Sequence, residues 1–182
     1  RLSSAYIERL LDDPNSGVVE PAGMVLEVVQ GEGGVIPAAV SWLQEIRRIT
    51  AQRGIPLIID EVQTGLGRTG RLFAFEHAGI VPDVVVLSKA VGGGLPLSVV
   101  VYRPEWDRWT AGAHAGTFRG NQLAMATGQA TMEFIVAERI DEHAARMGER
   151  LFGLLRRIQA ESRSIGDVRG RGLMLGVEIV DR

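Results

Sequence analysis

The sequence predicts an α/β protein built on a mixed, mostly parallel sheet. Four short runs of apolar, largely β-branched residues, each bounded by Gly, Pro or Asp, have the composition of buried strands. They lie at residues 24–29, 57–62, 84–87 and 97–102. A stretch with helical spacing separates the first two runs, as in a unit of two parallel strands joined by a helix.

The helix of this unit is predicted over residues 38–53. Apolar side chains recur every three or four positions from Val40 to Ile49, and Gly54 followed by Pro56 ends the helix. The first three runs are continuously apolar rather than alternating, which is typical of parallel strands covered by helices on both faces. We therefore expect these three strands to be parallel.

The fourth run is expected to pair antiparallel with the third. Only residues 90–96 connect them, and a parallel crossover needs about a dozen residues or more. The sheet is therefore predicted to be mixed.

Two helices are predicted to follow the sheet. Asn121 is a suitable N-cap for the first, and the second extends over about residues 141–162. A Gly-rich segment then leads to a predicted strand at 173–180. We expect residues 1–138 to form the rear part of a large domain, and residues 139–182 a linker helix and the start of a small C-terminal domain.

The composition narrows the classes of function. The 182 residues carry a net charge of -2 and no block of like charge, so nucleic acid and anionic membranes are not expected partners. The chain has no cysteine, and its three histidines lack the spacing of metal ligands. No apolar run approaches the roughly 20 residues that span a bilayer, so a cytoplasmic location is the expectation. Because the chain does not begin with Met, we expect it to be a piece of a longer protein.

Polar residues follow the predicted strands at the edge where ligands bind in parallel α/β sheets. Glu27 lies in the first run, Asp60 ends the second, and Lys89 follows the third. Lys89 is the only lysine in a chain with 19 arginines. An amine can lose its proton and attack a carbonyl, whereas a guanidinium cannot, so Lys89 is predicted to be a nucleophile or base.

Three other interpretations of these residues remain. Lys89 could be a strand-end lysine that extends into solvent. Asp60 and Glu61 resemble the Mg²⁺-binding strand of a nucleotide hydrolase, but the required phosphate loop with Gly-Lys-Ser/Thr is not found in the chain. Gly65, Gly67 and Gly70 match a dinucleotide-binding pattern, although the segment has the composition of a turn rather than of a helix start.

An extended pattern around Asp60 and Lys89 resembles the class III (ω-amino acid) aminotransferases. It comprises Leu57-Ile58-Ile59-Asp60-Glu61-Val62-Gln63-Thr64-Gly65-x-Gly67-Arg68-Thr69-Gly70 and Leu87-Ser88-Lys89-x-x-Gly92-Gly93-Gly94-x-Pro96. The resemblance implies the type I fold of transferases that depend on pyridoxal 5'-phosphate (PLP), a homodimer, and small-molecule amino acid and 2-oxo acid substrates.

The resemblance also implies roles for particular residues. Lys89 corresponds to the lysine that forms a Schiff base with PLP, and Asp60 to the partner of the pyridine nitrogen. Gln63 is expected to bind the phenolic oxygen of the cofactor, and Thr117 the phosphate held by the neighbouring subunit. Glu32 corresponds to a gate residue for the substrate carboxylate, and Glu27 is expected to brace the gate.

The expected substrate follows from a narrower resemblance. Residues 112–125, which include Thr117, most resemble 2,4-diaminobutyrate:2-oxoglutarate aminotransferases. That resemblance implies transfer of the terminal amino group to 2-oxoglutarate, which yields aspartate semialdehyde and glutamate. The alternatives are another ω-aminotransferase (ornithine, 4-aminobutyrate or lysine), an aminomutase, and an inactive structural fragment.

Overall fold

The computed structural model describes residues 2–181 of the chain. It contains four α-helices and eight β-strands within that range, together with short 3-10 helices. In chain order they are α1 (Leu2–Asp12), β1 (Met24–Leu26), β2 (Val29–Gln30), β3 (Ile36–Pro37), α2 (Val40–Gln52), β4 (Leu57–Asp60), β5 (Val84–Leu87), β6 (Val99–Tyr102), α3 (Gln122–Ala137), α4 (Ile140–Glu161), β7 (Ile165–Arg171) and β8 (Met174–Ile179).

The central sheet has four strands in the order β1-β4-β5-β6. β1, β4 and β5 are parallel, with Leu26 opposite Ile59 and Asp60 opposite Val86. β6 returns antiparallel beside β5. The predicted mixed sheet, with three parallel strands and one antiparallel strand, is confirmed.

Several details of the sequence prediction were wrong. Residues 165–171, which lie largely in the predicted Gly-rich segment, form strand β7 and pair with β8. The run at 24–29 is not one strand, because β1 ends at Leu26 and β2 then pairs antiparallel with β3 in a separate two-stranded sheet. The chain turns away from the central sheet at that point, which removes Glu27 from the strand. Helix α1 was also not predicted, although about half of its residues are apolar. Val25 is 66% exposed, so β1 is not covered on both faces by residues 2–181.

The main core lies between α2 and the sheet. Leu43, Ile46, Leu57 and Ile59 are at most 1% exposed and form its centre. Removing this apolar surface from water contributes about 25 cal/mol per Å² to folding. The core therefore fixes the direction of β4 and the position of its carboxyl end.

Asp83 holds the amino ends of β4 and β5 together. One oxygen, Oδ2, accepts from the Leu57 backbone N–H at 2.9 Å and from Arg47 Nη1 at 2.6 Å. The other, Oδ1, lies 3.2 Å from Arg103 Nε. This carboxylate therefore links the start of β4 to α2 and to the end of β6.

The last part of the described chain is a long helix and a hairpin. α3 begins at the predicted cap, where Asn121 Oδ1 accepts from the N–H groups of Leu123 and Ala124 at 3.0 and 3.2 Å. α4 packs on the antiparallel pair β7 and β8. None of the helices described is long and apolar enough to cross a bilayer.

Candidate functional site

Asp60 and Lys89 lie at the same edge of the central sheet. Asp60 is the last residue of β4 and is paired in parallel with Val86 of β5. Lys89 follows Val86 by three positions, just after β5 ends at Leu87. The strand register therefore brings a carboxylate and an amine to the carboxyl ends of adjacent parallel strands, where ligands bind in this fold class.

Lys89 has an unusual backbone conformation. Its φ of +50° lies in the left-handed region, and it begins a short 3-10 helix at the end of β5. The preceding Ser88 is extended, and its hydroxyl donates to the Leu97 carbonyl oxygen at 3.0 Å. The Lys89 side chain is exposed. The turn thus places the only amine side chain of the sequence where a ligand can reach it.

The turn after Lys89 rests on α3. Thr127 Oγ1 donates to the Gly92 carbonyl oxygen at 2.7 Å. Gly93 has a φ of +59°, and a Cβ added there would lie 2.8 Å from the Thr127 carbonyl oxygen. Position 93 therefore requires glycine, and α3 fixes the height of the turn that carries Lys89.

Asp60 is only partly used by the protein. Its Oδ1 accepts from the Val62 backbone N–H at 2.9 Å, and the side chain is half-buried. The other oxygen, Oδ2, makes no hydrogen bond to any residue between 2 and 181. That oxygen remains available to a donor from a ligand.

Glu61, the next residue, has a different environment. It is 2% exposed, accepts from the Thr64 hydroxyl, and receives the Phe75 N–H at 3.0 Å. Burial raises the pKa of Glu61, although these hydrogen bonds act in the opposite direction. Glu61 therefore braces the turn after β4 from inside the protein. The sequence analysis considered Glu61 only as part of a possible Mg²⁺-binding strand, although an acid directly before Val62 in an apolar run was a signal of a buried, paired carboxylate.

Glu27, Glu32 and Gln63 meet around one turn. Gln63 Nε2 donates to Glu32 Oε1 at 3.0 Å, and the Gly31 N–H donates to Glu27 Oε2 at 2.7 Å. A Cβ added at Gly31 would lie 2.5 Å from Gln63 Oε1, so the two segments are in close contact. The structure thus brings together three of the predicted site residues.

Thr117 is separate from this group within the described chain. It lies in segment 111–120, in which every side chain is exposed, and it makes no side-chain hydrogen bond to residues 2–181. His114, in the same segment, makes an edge contact with the Trp109 ring at 5.7 Å. Residues 2–181 hold no group of three or more His, Cys, Asp or Glu side chains arranged for a metal ion.

A cleft of about 670 Å³ lies elsewhere, between residues 69–71, α4 and the hairpin of β7 and β8. His77 lines it, with Nε2 at 3.1 Å from both the carbonyl oxygen and the hydroxyl of Thr69. Burial and the positive charge of Arg171 lower the pKa of His77. None of the residues predicted to carry chemistry lines this cleft, so its size does not make it the candidate site.

The family model for class III aminotransferases matches residues 4–182. A diaminobutyrate–2-oxoglutarate aminotransferase of Rhizobium meliloti (strain 1021) is 63% identical over 180 residues, which cover 99% of this chain and 38% of that protein. The enzyme of the same name from Haemophilus influenzae is 54% identical and is matched over 97% of this chain and 39% of its own length. The chain therefore spans about two fifths of the length of these curated relatives.

Solved structures agree with this match. The ornithine aminotransferase of Toxoplasma gondii, which holds PLP at partial occupancy in its active site, has a TM-score of 0.89 and 35% identity, covering 97% of this chain and 41% of that one. An (S)-enantioselective omega-transaminase from Thermomicrobium roseum has a TM-score of 0.85 and 35% identity, covering 99% of this chain and 41% of that one. The arrangement of strands and helices is therefore the one found in these enzymes.

Proposed function

Because this chain belongs to the class III aminotransferases, we propose that the protein it forms part of transfers an amino group from an ω-amino acid to a 2-oxo acid with PLP bound at Lys89. The best supported donor is 2,4-diaminobutyrate and the best supported acceptor is 2-oxoglutarate, with aspartate semialdehyde and glutamate as products. The observation that carries the proposal is the position of the only lysine, beside Asp60 at the carboxyl edge of a sheet shared with these enzymes.

The residues at this edge fit PLP. The cofactor has an aldehyde that an amine can attack, a ring nitrogen that a carboxylate can keep protonated, and a phenolic oxygen that accepts hydrogen bonds. Lys89 offers an exposed amine, and Asp60 offers an oxygen with no partner among residues 2–181. When bound, PLP withdraws electrons from the substrate carbon that loses its proton.

Lys89 and Asp60 would have distinct tasks. Lys89 would hold the cofactor through its Nζ atom, and the same amine is suited to accept the proton from the substrate carbon that bears the amino group. Asp60 Oδ2 would accept a hydrogen bond from the ring nitrogen, while its Oδ1 accepts from the Val62 N–H.

Gln63, Glu32 and Glu27 would act on the substrate side. The carboxamide nitrogen of Gln63 has two hydrogens, so it can bind Glu32 and also the phenolic oxygen of the cofactor. Glu32 would pair with an arginine in one half-reaction and release it for the carboxylate of 2-oxoglutarate in the other. Glu27 holds the Gly31 N–H and so supports the turn that carries Glu32.

Thr117 supports the proposal of a homodimer. Its segment is fully exposed, as expected for a residue that binds the cofactor phosphate of a neighbouring subunit. The division into a large domain over residues 1–138 and the start of a small domain over residues 139–182 is part of the same proposal.

The choice of diaminobutyrate rests on the names of the two relatives at 63% and 54% identity. The ornithine aminotransferase of Toxoplasma gondii is less similar, at 35%. Ornithine therefore remains the second candidate donor.

The test uses the full-length protein with Lys89→Ala and Lys89→Arg variants. Borohydride reduction followed by peptide mapping should find PLP attached to Lys89 in the unsubstituted protein and attached to no residue in either variant. Lys89→Arg is the matched control because it keeps the positive charge and removes only the nucleophilic amine. Attachment to another residue would contradict the assignment.

The substrate is tested by offering diaminobutyrate, ornithine, 4-aminobutyrate and lysine with 2-oxoglutarate. One glutamate formed per amine consumed, with the highest kcat/KM for diaminobutyrate, is the expected result. Conversion of an amine without glutamate would instead indicate an aminomutase.

A further inference from the structure

The turn that carries Glu32 is held from two sides by segments far apart in the sequence. Residues 31–35 connect β2 to β3, and the N–H groups of Gly34 and Val35 both donate to the Gly31 carbonyl oxygen at 3.1 Å. Glu32 itself is exposed. Its position therefore depends on what holds the turn.

The first side is the segment after β4. Gln63 donates to Glu32 at 3.0 Å and packs against Gly31, where an added Cβ would displace the Gln63 carboxamide. This contact links the Glu32 carboxylate to the turn that directly follows Asp60 at the edge of the sheet.

The second side is the hairpin of β7 and β8. Arg169 Nε donates to the Gly34 carbonyl oxygen at 2.7 Å, across 135 positions of sequence. The Nη1 atom of the same guanidinium lies 3.1 Å from Asp167 Oδ2 and 3.3 Å from Glu178 Oε2. Two carboxylates on the hairpin thus orient the group that binds the turn.

The backbones of the hairpin and the turn are also in close contact. A Cβ added at Gly176 of β8 would lie 3.0 Å from Val35 Cβ and 3.4 Å from the Gly34 carbonyl oxygen. Val35 has a φ of +55°, a conformation that an L-residue keeps only when its surroundings enforce it. The turn is therefore shaped by its contact with the hairpin.

We propose that Arg169 is a positioning residue, which fixes the turn at residues 31–35 and through it the carboxylate of Glu32. The inference rests on the proposed gate role of Glu32. A guanidinium suits this task because its planar fork binds the carbonyl oxygen and the two carboxylates in fixed relative directions, which an ammonium cannot do. The position of the β7–β8 hairpin is thereby coupled to the discrimination between the two substrates.

The first test measures hydrogen exchange by mass spectrometry in the full-length protein, in a peptide that covers residues 29–37. Arg169→Met removes a charge-assisted hydrogen bond, so the Gly34 and Val35 amides should exchange about tenfold faster. Arg169→Lys keeps the charge without the fork and should also exchange faster, which covers the case in which Arg169→Met does not fold. Arg163→Met is the matched control, because Arg163 is exposed and has no side-chain bond to residues 2–181.

The second test compares single-turnover rates of the two half-reactions, with diaminobutyrate and with glutamate as amino donor. Arg169→Met and Glu32→Gln should both lower the ratio of kcat/KM with diaminobutyrate to kcat/KM with glutamate. Arg163→Met should leave this ratio unchanged. Unchanged exchange at residues 29–37 overturns the inference. The inference is also overturned if Arg169→Met speeds up exchange but leaves the kcat/KM ratio unaltered, while Glu32→Gln lowers that ratio. A protein that transfers no amino group would instead refute the proposed function, while the exchange result still decides whether Arg169 holds the turn.

Discussion

The two ends of strands β4 and β5 carry aspartates with opposite bonding. At the amino ends, Asp83 receives the Leu57 N–H and two arginines, and only 11% of its side chain is exposed. At the carboxyl ends, Asp60 receives a single backbone N–H from within the described chain. A carboxylate whose oxygens are all bound stabilises the fold, whereas one with a free oxygen beside an exposed amine is available for a ligand. The number of bonded oxygens therefore distinguishes the two aspartates, which residue type alone cannot do.

The largest effect is expected for Asp60, at the carboxyl end of β4. Asp60→Asn keeps an Oδ1 acceptor for the Val62 N–H but removes the charge that, under the proposed function, would face the ring nitrogen of the cofactor. Loss of a preorganised electrostatic contact of this kind lowers kcat by about 10²- to 10³-fold. Half-reaction kinetics and a thermal melt on the full-length protein measure the two properties together. A large fall in Tm with little loss of kcat would show that Asp60 is structural.

A smaller effect is expected for Asp83, at the amino ends of β4 and β5. Asp83→Ala leaves Arg47 and the Leu57 N–H without their partner, and we expect the free energy of unfolding to fall by about 2–3 kcal/mol. Glu105→Ala is the control, because its ion pair with Arg103 spans 4.0 Å and both side chains are largely exposed. That variant should lose less than about 0.5 kcal/mol. Urea unfolding compares the two, and equal losses would contradict the distinction.

The smallest effect concerns Glu61, which lies beside Asp60 yet is bonded like Asp83. Burial raises the pKa of Glu61 above its ordinary 4.5, so the folded state binds the proton more tightly than the unfolded state. The stability from this group is present below pH 4.5 and is lost as the pH rises through the folded pKa. The loss is at most about 1.4 kcal/mol per pH unit.

Glu61→Gln, which stays neutral, should therefore lose less stability over that pH range than the unsubstituted protein. Thermal melts at a series of pH values measure this difference. Glu133→Gln, at an exposed position of α3, should leave the pH dependence unchanged. A steeper loss in Glu61→Gln would show that Glu61 is stabilised as a carboxylate.

Local patterns in the sequence were sufficient to predict the central sheet and the edge at which Asp60 and Lys89 lie. The spacing of apolar runs predicted the parallel strands, and the short connection between the third and fourth runs excluded a parallel crossover. Asn121 was recognised as a cap because capping involves neighbours two and three positions away. The parts that escaped prediction are of another kind. The hydrogen bond from Arg169 to Gly34 joins residues 135 positions apart, and no local pattern encodes it.

The missed helix and the divided first run have related physical causes. Helix α1 is held by packing on α2 and by the ion pair of Glu8 with Arg48, both of which are tertiary contacts. The run at 24–29 is apolar except for Glu27, but the chain leaves the central sheet after Leu26, and Val29 pairs with Pro37 in the separate sheet of β2 and β3. Apolar composition predicted that these residues are buried without indicating which sheet would receive them.

The left-handed backbone of Lys89 means that this position opposes folding. A non-glycine residue at a φ of +50° costs about 1 kcal/mol or more relative to a relaxed conformation, whatever its side chain. Glycine at position 89 would relieve that cost and would also remove the amine. Selection for stability alone would therefore remove lysine from this turn, and under the proposed function the lysine is retained because its amine is needed.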